Sequence, residues 1–453
     1  MRALMVTLML AALALPLLAS AEAELSSDEL VRARETAVGA SVTFDRLPLG
    51  GDRDGSVRMK RIDVYAPGAR ILMPEGEGYK ELPRSDWLHF VADKRVDGAP
   101  RLGLSISADG RSARGILFDA NGRTQTVKSS RFGNGLRFEL RDAKEDENGA
   151  PTEFTCGNSD ANWKSLLAPA EKLAAPGAKT GEVLTVASRS AVVAVDTDNE
   201  LLLQKFSNNT TSATNYLAQL FAGLNVIYER DLDLTLTQGT TILRVSTTPD
   251  PYSASATSAQ LTEFGNFWQN NQSGVNRAFA MLISGKSDNN FSSAGIAWVL
   301  GNTNYCQSTN GSLGGHYSVS QVFKFNGATA ADDLLVVAHE LGHNFGAQHA
   351  HCSNITTGAG PTATNTIDQC FVEGGGCYNG PTSCPAPSTV NGVTGVRGTL
   401  MSYCHLSGIS GCDSSEVFAN GHRTLLNPRV AANVTAGCFT AVGGNNIFAN
   451  GFE

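Results

Sequence analysis

The chain has 453 residues, of which 17% are charged, with a formal net charge of -8 and a pI of about 5.6. This acidic balance argues against a nucleic-acid partner, because phosphates are bound by basic surfaces. The sequence shows no heptad, solenoid period or long low-complexity tract. Its length is enough for two or three domains of roughly 150 residues each.

The first 21 residues have the pattern of a removable secretion signal. Arg2 gives a positive start, residues 3–18 form an apolar run, and Ala19-Ser20-Ala21 supplies the small residues of a cleavage site. The run is shorter than the roughly 20 residues of a spanning helix, and no later segment is apolar enough to cross a bilayer. We therefore expect a secreted, extracellular protein without a membrane partner, in which cysteines pair as disulfides. A periplasmic stage in transit stays open.

Residues 22–182 have the pattern of a β-rich domain followed by a linker. Alternating apolar and polar runs between Gly, Asp and Asn predict antiparallel strands at 61–65, 101–106, 115–118 and 136–140. Proline, alanine and glycine dominate residues 167–181, which is typical of a linker.

Beyond the linker the pattern changes to strands that alternate with helices. Strands are predicted at 190–196, 232–245 and 279–283, and helices at 213–228 and 260–268. This alternation indicates an α/β (α+β) domain with a mixed sheet over residues 183–440. The Gly- and Asn-rich tail, 441–453, is expected to be disordered.

The segment AADDLLVVAHELGHNFGAQHAHC carries the chemistry. His339 and His343 are four residues apart, so both imidazoles project from one face of a helix and can hold one metal ion. Glu340 stands beside the first ligand, where its carboxylate can reach a metal-bound water. Gly346 can adopt a left-handed conformation that ends the helix, and the chain can then return His349 as a third ligand. Three imidazoles and a water are typical of a catalytic zinc site.

The other histidines are weaker candidates for metal ligands. His351 is the rival third ligand, but it lacks the two-residue spacing after Gly346, so His349 is preferred. The remaining four histidines have no comparable spacing and are expected to be packing or surface residues: His89, His316, His405 and His422.

The run from His339 to His349 resembles the signature of the metzincin zinc proteases. Gly398-Thr399-Leu400-Met401-Ser402-Tyr403 resembles their methionine turn, and the second half of the chain resembles the adamalysin (reprolysin) branch. That branch usually has Asp after the third histidine, whereas this chain has Ala350. The resemblance implies one catalytic Zn²⁺, a mixed twisted sheet and a long zinc-binding helix; a structural Ca²⁺ is left open.

The resemblance also implies the reaction. A zinc-bound water attacks the peptide bond, Glu340 accepts its proton, and the proton passes to the leaving amine. Tyr403 could join the zinc or donate to the oxyanion, although a packed tyrosine is the simpler interpretation. Protein or peptide substrates would pair with an edge strand at residues 294–300, for which a fully buried strand is an equal alternative.

Eight of the nine cysteines follow residue 305 and could form four disulfides in roughly a hundred arrangements. The adamalysin resemblance implies a Cys306–Cys438 bridge.

Cys156 stands apart in the N-terminal half. The stretch Cys156-Gly157-Asn158-Ser159-Asp160 resembles the cysteine switch of metzincin prodomains, in which a thiolate takes the fourth zinc position. An unpaired or intermolecular cysteine is the alternative.

These features together predict a secreted zinc endopeptidase, made as a latent monomer that its own prodomain inhibits. Its organisation would be a signal peptide (1–21), a prodomain (22–182), a catalytic domain (183–440) and a tail (441–453), with activation by cleavage between Asp160 and Arg189. Two other functions remain open: a zinc amidase on a cell-wall substrate, and a weakly active binding module on the same fold.

Overall fold

The structure, a computed structural model, describes residues 23–50, 53–92, 101–119, 123–142, 154–156, 189–286, 293–299, 305–306, 316–322, 330–331 and 333–441. The predicted signal (1–21), the linker (167–181) and all but the first residue of the tail lie outside these residues.

Eight strands of the N-terminal half close into an antiparallel barrel in the order β1-β10-β9-β8-β7-β6-β3-β2. Their alternating apolar residues fill its interior, as Phe44, Phe90 and Leu104 show by their complete burial. The elements of this half are β1 Glu24–Leu25, α1 Ser27–Glu35, β2 Ser41–Gly50, β3 Arg53–Ile62, β4 Ile71–Glu75, β5 Gly78–Leu82, β6 Leu88–Ala92, β7 Arg101–Ile106, β8 Ala113–Phe118, β9 Thr124–Phe132 and β10 Gly135–Asp142.

The remaining strands and helices belong to a layered α/β unit. They are β11 Phe154–Cys156, β12 Arg189–Thr197, α2 Asn199–Phe206, α3 Thr210–Leu232, β13 Leu234–Ile242, α4 Thr257–Asn271, β14 Phe279–Ser284, β15 Ser293–Ala297, β16 Tyr317–Gln321, α5 Leu334–Phe345, β17 Ser388–Val390, β18 Val393–Val396, α6 Asn420–Thr435 and β19 Thr440–Ala441.

A nine-stranded mixed sheet organises this unit, in the order β11-β15-β16-β14-β12-β13-β4-β5, with β19 against β12. The central strands are parallel and are covered on both faces. Val193 and Val195 lie in the core cluster that contains α3 and α5, whereas Ala194 lies in the cluster that contains α4. The predicted mixed α/β fold with a β-rich N-terminal half is thus observed.

The N-terminal half also supplies strands at both ends of this sheet. The hairpin β4–β5 leaves the barrel between β3 and β6 and pairs with β13. Strand β11 pairs with β15 at the opposite end. The predicted strand at 61–65 is therefore wrong beyond Ile62, because the chain leaves the barrel there and Tyr65 bridges to Gln238 of β13.

The long helix α3 extends past the predicted 213–228 at both ends. Its N-cap Asn209 accepts a hydrogen bond from the Ser212 amide, and Asp233 ends the helix in a left-handed conformation with φ of 51°.

Within the described residues, no helix combines the length and hydropathy of a membrane span.

Candidate metal centre

Helix α5 presents two histidines toward one point. His339 and His343 lie one turn apart and are fully or almost fully buried, with ring centroids 4.8 Å apart. Gly346 ends the helix with φ of 102°, as the sequence predicted. Gly342 lies between the two histidines, and a Cβ there would lie 2.7 Å from Sδ of Met401, so a glycine allows the methionine turn to pack beneath the helix.

The chain turns back after Gly346 and brings His349 to the same point. Its Nε2 lies 3.2 Å from Nε2 of His343. The return is held in place because the Ala350 amide donates to the carbonyl of Met401 at 2.8 Å. His351, the rival third ligand, instead directs its Nε2 to Glu373 at 2.5 Å and does not join the group formed by Cys156 and the three histidines.

Each of the three histidines is oriented by an acceptor at Nδ1. His339 donates to the carbonyl of Leu400 at 2.8 Å, and His343 donates to the carbonyl of Ala347 at 2.7 Å. His349 donates to the carboxylate of Glu373 at 2.6 Å. Because a carbonyl or carboxylate only accepts, Nδ1 carries the hydrogen in each ring and the Nε2 lone pairs are directed to the common point.

Cys156 completes the group from the N-terminal half. Its Sγ lies 3.6 Å from Nε2 of His343, and the ligand atoms of Cys156, His339, His343 and His349 all lie within 4.8 Å of one another. A tetrahedral zinc with bonds of about 2.3 Å to sulfur and about 2.0–2.1 Å to nitrogen separates S from N by about 3.6 Å and N from N by about 3.4 Å. The observed 3.6 Å and 3.2 Å match these edges, so the donor set fits zinc.

The pKa values of the two histidines on α5 favour metal binding. Burial, reinforced by the neighbouring imidazoles, holds the pKa values of His339 and His343 well below their ordinary value. Both rings therefore stay neutral, which a metal ligand requires.

Glu340 lies beside this group in a dry environment. Burial raises its pKa well above the ordinary value, and a hydrogen bond with the Cys156 side chain opposes that shift in part. Strand β15 passes directly over the carboxylate at Gly295, where an added Cβ would collide with Glu340. The same glycine pairs with Cys156 in the parallel register of β11 and β15.

Strand β15 is shorter than the predicted 294–300, and β11 covers its outer edge in this structure. The predicted edge strand is therefore flanked on both sides, by β16 and by β11. Tyr403 fixes the end of β11, since its hydroxyl donates to the carbonyl of Cys156 at 3.1 Å. Its ring packs 4.4 Å from that of His349.

Sequence reasoning missed Glu373. The carboxylate accepts from His349 and His351 together, and although burial raises its pKa, the two histidines hold that pKa well below its ordinary value. The one signal in the sequence is indirect: Ala350 stands where the adamalysin pattern usually has Asp.

Four disulfides support the loops around the centre: Cys306–Cys438, Cys352–Cys377, Cys370–Cys404 and Cys384–Cys412. The predicted Cys306–Cys438 pairing is confirmed. Cys156 is the cysteine outside these bridges. The clusters around Cys352 and around Cys370, Cys404 and Cys412 cannot offer thiolates to a metal, because all of these sulfurs are in disulfides.

The four histidines that lack ligand spacing are packing residues, as expected. His89, His316 and His422 are buried, and His422 bonds the Ser353 hydroxyl at 3.0 Å. Met401, predicted as the methionine of the Met-turn, is also buried and lies against α5 at Gly342. His405 is partly buried and lies 3.0 Å from Ser414 Oγ.

Comparison with known proteins agrees with this geometry. The family model Reprolysin_5 of metallopeptidase family M12 matches residues 187–397, which include helix α5 and His349. No curated protein matches the chain. One similar solved structure, described as "Structure of a chaperone-substrate complex", is 12% identical over 70% of this chain and 39% of its own length, with a TM-score of 0.30, too low to support an argument. The match over residues 187–397 thus supports a reprolysin-like metalloprotease of family M12.

Proposed function

We propose that this protein is a secreted zinc endopeptidase that is made in a latent form. One observation carries the proposal: the Nε2 atoms of His339, His343 and His349 converge with the Cys156 thiol beside the buried carboxylate of Glu340. The three histidines would hold one zinc ion and Cys156 would occupy the remaining position in the precursor.

The catalytic role falls to Glu340. Zinc, when bound, supplies a Lewis acid that polarises the scissile carbonyl and lowers the pKa of a water toward about 7. Glu340 receives the proton from the attacking water and returns it to the leaving amine. Its burial suits this task, because a raised pKa allows a carboxylate to hold a proton transiently near neutral pH.

Substrate binding would use the edge that β11 occupies in this structure. Once β11 leaves, the outer backbone of β15 can pair with an extended peptide, which gives affinity without reading its side chains. The hydroxyl of Tyr403, which now donates to the carbonyl of Cys156, would then be available to a substrate carbonyl at the same place. This strand-shaped site favours a peptide over the cell-wall amide considered above.

Latency would come from Cys156. The thiol contacts both His343 and Glu340, so it obstructs a zinc ligand site and the general base with a single side chain. A thiolate is a strong zinc ligand and displaces water. Cleavage of the chain between residues 160 and 189 would release β11 and open the site. The prodomain is thus proposed as the inhibitor, and protein or peptide substrates as the partners of a monomer.

The decisive experiment uses the full chain, cleaved between residues 160 and 189 and incubated with a denatured protein. Hydrolysis that a chelator abolishes and zinc restores is the expected result. The Glu340→Ala variant should retain about one zinc per chain by elemental analysis and lose activity by several orders of magnitude. Glu139→Ala, an exposed acidic residue on β10, serves as the control.

Two results would overturn the proposal. One is substantial proteolysis by Glu340→Ala. The other is a cleaved chain that binds zinc but hydrolyses no protein substrate, which would leave the zinc amidase and the binding module as the remaining hypotheses. Secretion is tested separately by sequencing the N-terminus of the exported protein, which should begin after Ala21.

A further inference from the structure

We infer that the N-terminal barrel, together with hairpin β4–β5, stays bound to the catalytic unit after activation and forms a permanent subunit of the mature enzyme. Only the short strand that carries Cys156 would leave the site. The inference rests on the proposed function for the meaning of activation, but the interface that carries it is independent of zinc.

The first observation is a continuous backbone connection along β13. Ile71 and Leu72 of β4 pair in parallel with Thr241 and Ile242, and both β4 residues are buried. Four backbone hydrogen bonds of 2.7–2.9 Å join the segment 64–72 to β13 and the residue after it: Gln238 N to Val64 O, Ala66 N to Gln238 O, Thr241 N to Arg70 O, and Leu243 N to Leu72 O. Removal of the hairpin would expose the edge of a central sheet, a surface prone to aggregation.

The second observation is the close approach of the barrel wall to α3. Gly103 of β7 faces α3, and a Cβ at this position would lie 3.0 Å from Cγ2 of Val226 and 3.5 Å from the carbonyl of Ala222. A Cβ at Gly223 of α3 would lie 3.7 Å from Cγ2 of Ile116 on β8, the strand next to β7. Helix α3 is thus packed against the barrel through small residues, with a fit that a side chain at residue 103 would disturb.

The third observation is that the two halves share one hydrophobic core. Residues of the N-terminal half belong to the same buried cluster as α3, α5 and the central sheet: Ile62, Val64, Tyr65, Ala66, Ala69, Ile71, Val91, Ile116 and Phe118. Polar contacts accompany them, since the Thr124 hydroxyl donates to the Glu416 carboxylate and the guanidinium of Arg230 lies 5.8 Å from the ring of Phe118. Interfaces that resemble a divided core are typical of permanent assemblies.

Strand β11 has a much smaller attachment. It contributes three residues to the sheet, paired with β15 alone, and Tyr403 adds one hydrogen bond to its last carbonyl. After cleavage the metal bond of Cys156 would have to hold a short strand, whereas the barrel would keep its whole interface. Activation would therefore release only β11 from the site, and the two fragments would stay associated.

The test places a sequence-specific protease site within residues 161–188 of the full chain carrying Glu340→Ala, so that no self-digestion occurs. After cleavage, size-exclusion chromatography with mass spectrometry should find both fragments in one peak, and denaturant should be needed to separate them. Elution of the barrel fragment on its own in native buffer would overturn the inference.

A pair of glycine variants tests the interface itself. Gly103→Val should lower the denaturant concentration at which the cleaved fragments separate, because the side chain would meet Val226. Gly78→Val on β5 is the control, since the nearest atom to a Cβ there is 4.0 Å away. Equal separation midpoints for the two variants would contradict the interface described here.

The outcomes also separate this inference from the proposed function. Fragments that stay together in a cleaved parent chain without peptidase activity would refute only the function. Separation of the two fragments in native buffer, with full peptidase activity in the fraction that contains helix α5, would refute only the permanent subunit.

Discussion

The Sγ atom of Cys156 lies 3.6 Å from Nε2 of His343, although 187 positions of the sequence separate the two residues. This contact predicts the behaviour of the uncleaved precursor. Cys156→Ser replaces a strong thiolate ligand with a weak hydroxyl, so the precursor should hydrolyse a peptide substrate or degrade itself.

The measurement compares uncleaved Cys156→Ser with the uncleaved parent under the same conditions. The double variant with Glu340→Ala is the control and should be inert. A Cys156→Ser precursor that binds zinc and stays as latent as the parent would show that the thiol is not the inhibitor.

A second prediction concerns the crossing of β15 over Glu340, the proposed general base. Gly295→Ala places a methyl group against the carboxylate of Glu340 and should displace it. We expect the cleaved variant to keep its zinc and to lose at least about tenfold in kcat, since a small misplacement of a catalytic group is costly. Gly274→Ala, where a Cβ has open space, should retain parental kinetics. Unchanged kcat for Gly295→Ala would mean that Glu340 is not the base.

Glu373 should control zinc affinity through His349. Removal of a carboxylate that orients a ligating histidine typically weakens metal binding by about 10–100-fold. We therefore expect Glu373→Ala to raise the zinc dissociation constant in a competition titration with a chromophoric chelator. Glu373→Gln should recover part of the affinity, because an amide oxygen can still accept from Nδ1 of His349. A Glu373→Ala chain with parental affinity would exclude this positioning role.

The Cys306–Cys438 bridge should be the disulfide that matters most for stability. It closes a loop of 132 residues, for which the chain-entropy model gives about 5 kcal/mol, against about 3.5 kcal/mol for the 25 residues between Cys352 and Cys377. Paired serine variants at each bridge, compared by denaturant unfolding, should follow this order. The reverse order would show that native-state strain or residual structure outweighs loop closure.

His89 predicts an acid-sensitive barrel. Burial, helped by Arg61, lowers its pKa to about 3 from an ordinary value of 6.5. The folded state therefore binds fewer protons than the unfolded state between these values, so stability is complete above pH 6.5 and falls as the pH drops toward 3, by up to about 1.4 kcal/mol per unit.

Replacing His89 with Leu should remove this contribution to the slope. The difference between the pH profiles of parent and variant isolates it, because the other titrating groups are common to both. Parallel profiles between pH 3 and 6.5 would contradict the assignment.

The sequence predicted the local features well, because they depend on neighbours in the chain. The spacing of His339 and His343 and the position of Gly346 are sufficient to place two imidazoles and end a helix. The alternation in 101–106 and the buried run at 279–283 likewise predicted strands, which the structure shows as β7 and β14.

The features that sequence reasoning missed depend on distant parts of the chain. Glu373 reaches His349 from a loop held by the Cys352–Cys377 bridge, and no periodicity connects the two residues. The pairing of β4 with β13 could not be predicted either, since residues 71–82 have the same alternating pattern as the barrel strands and only tertiary packing assigns them to the other sheet.

The distribution of strands in the nine-stranded sheet has a consequence for the order of folding during synthesis. Hairpin β4–β5 and strand β11 emerge from the ribosome long before their partners β13 and β15 exist. The barrel can close early from neighbouring hairpins, but the sheet must wait for pairings of high contact order, which form slowly. We expect a nascent chain that spends its longest stage with a finished barrel and an unfinished sheet, which is the stage at which a chaperone would be most needed.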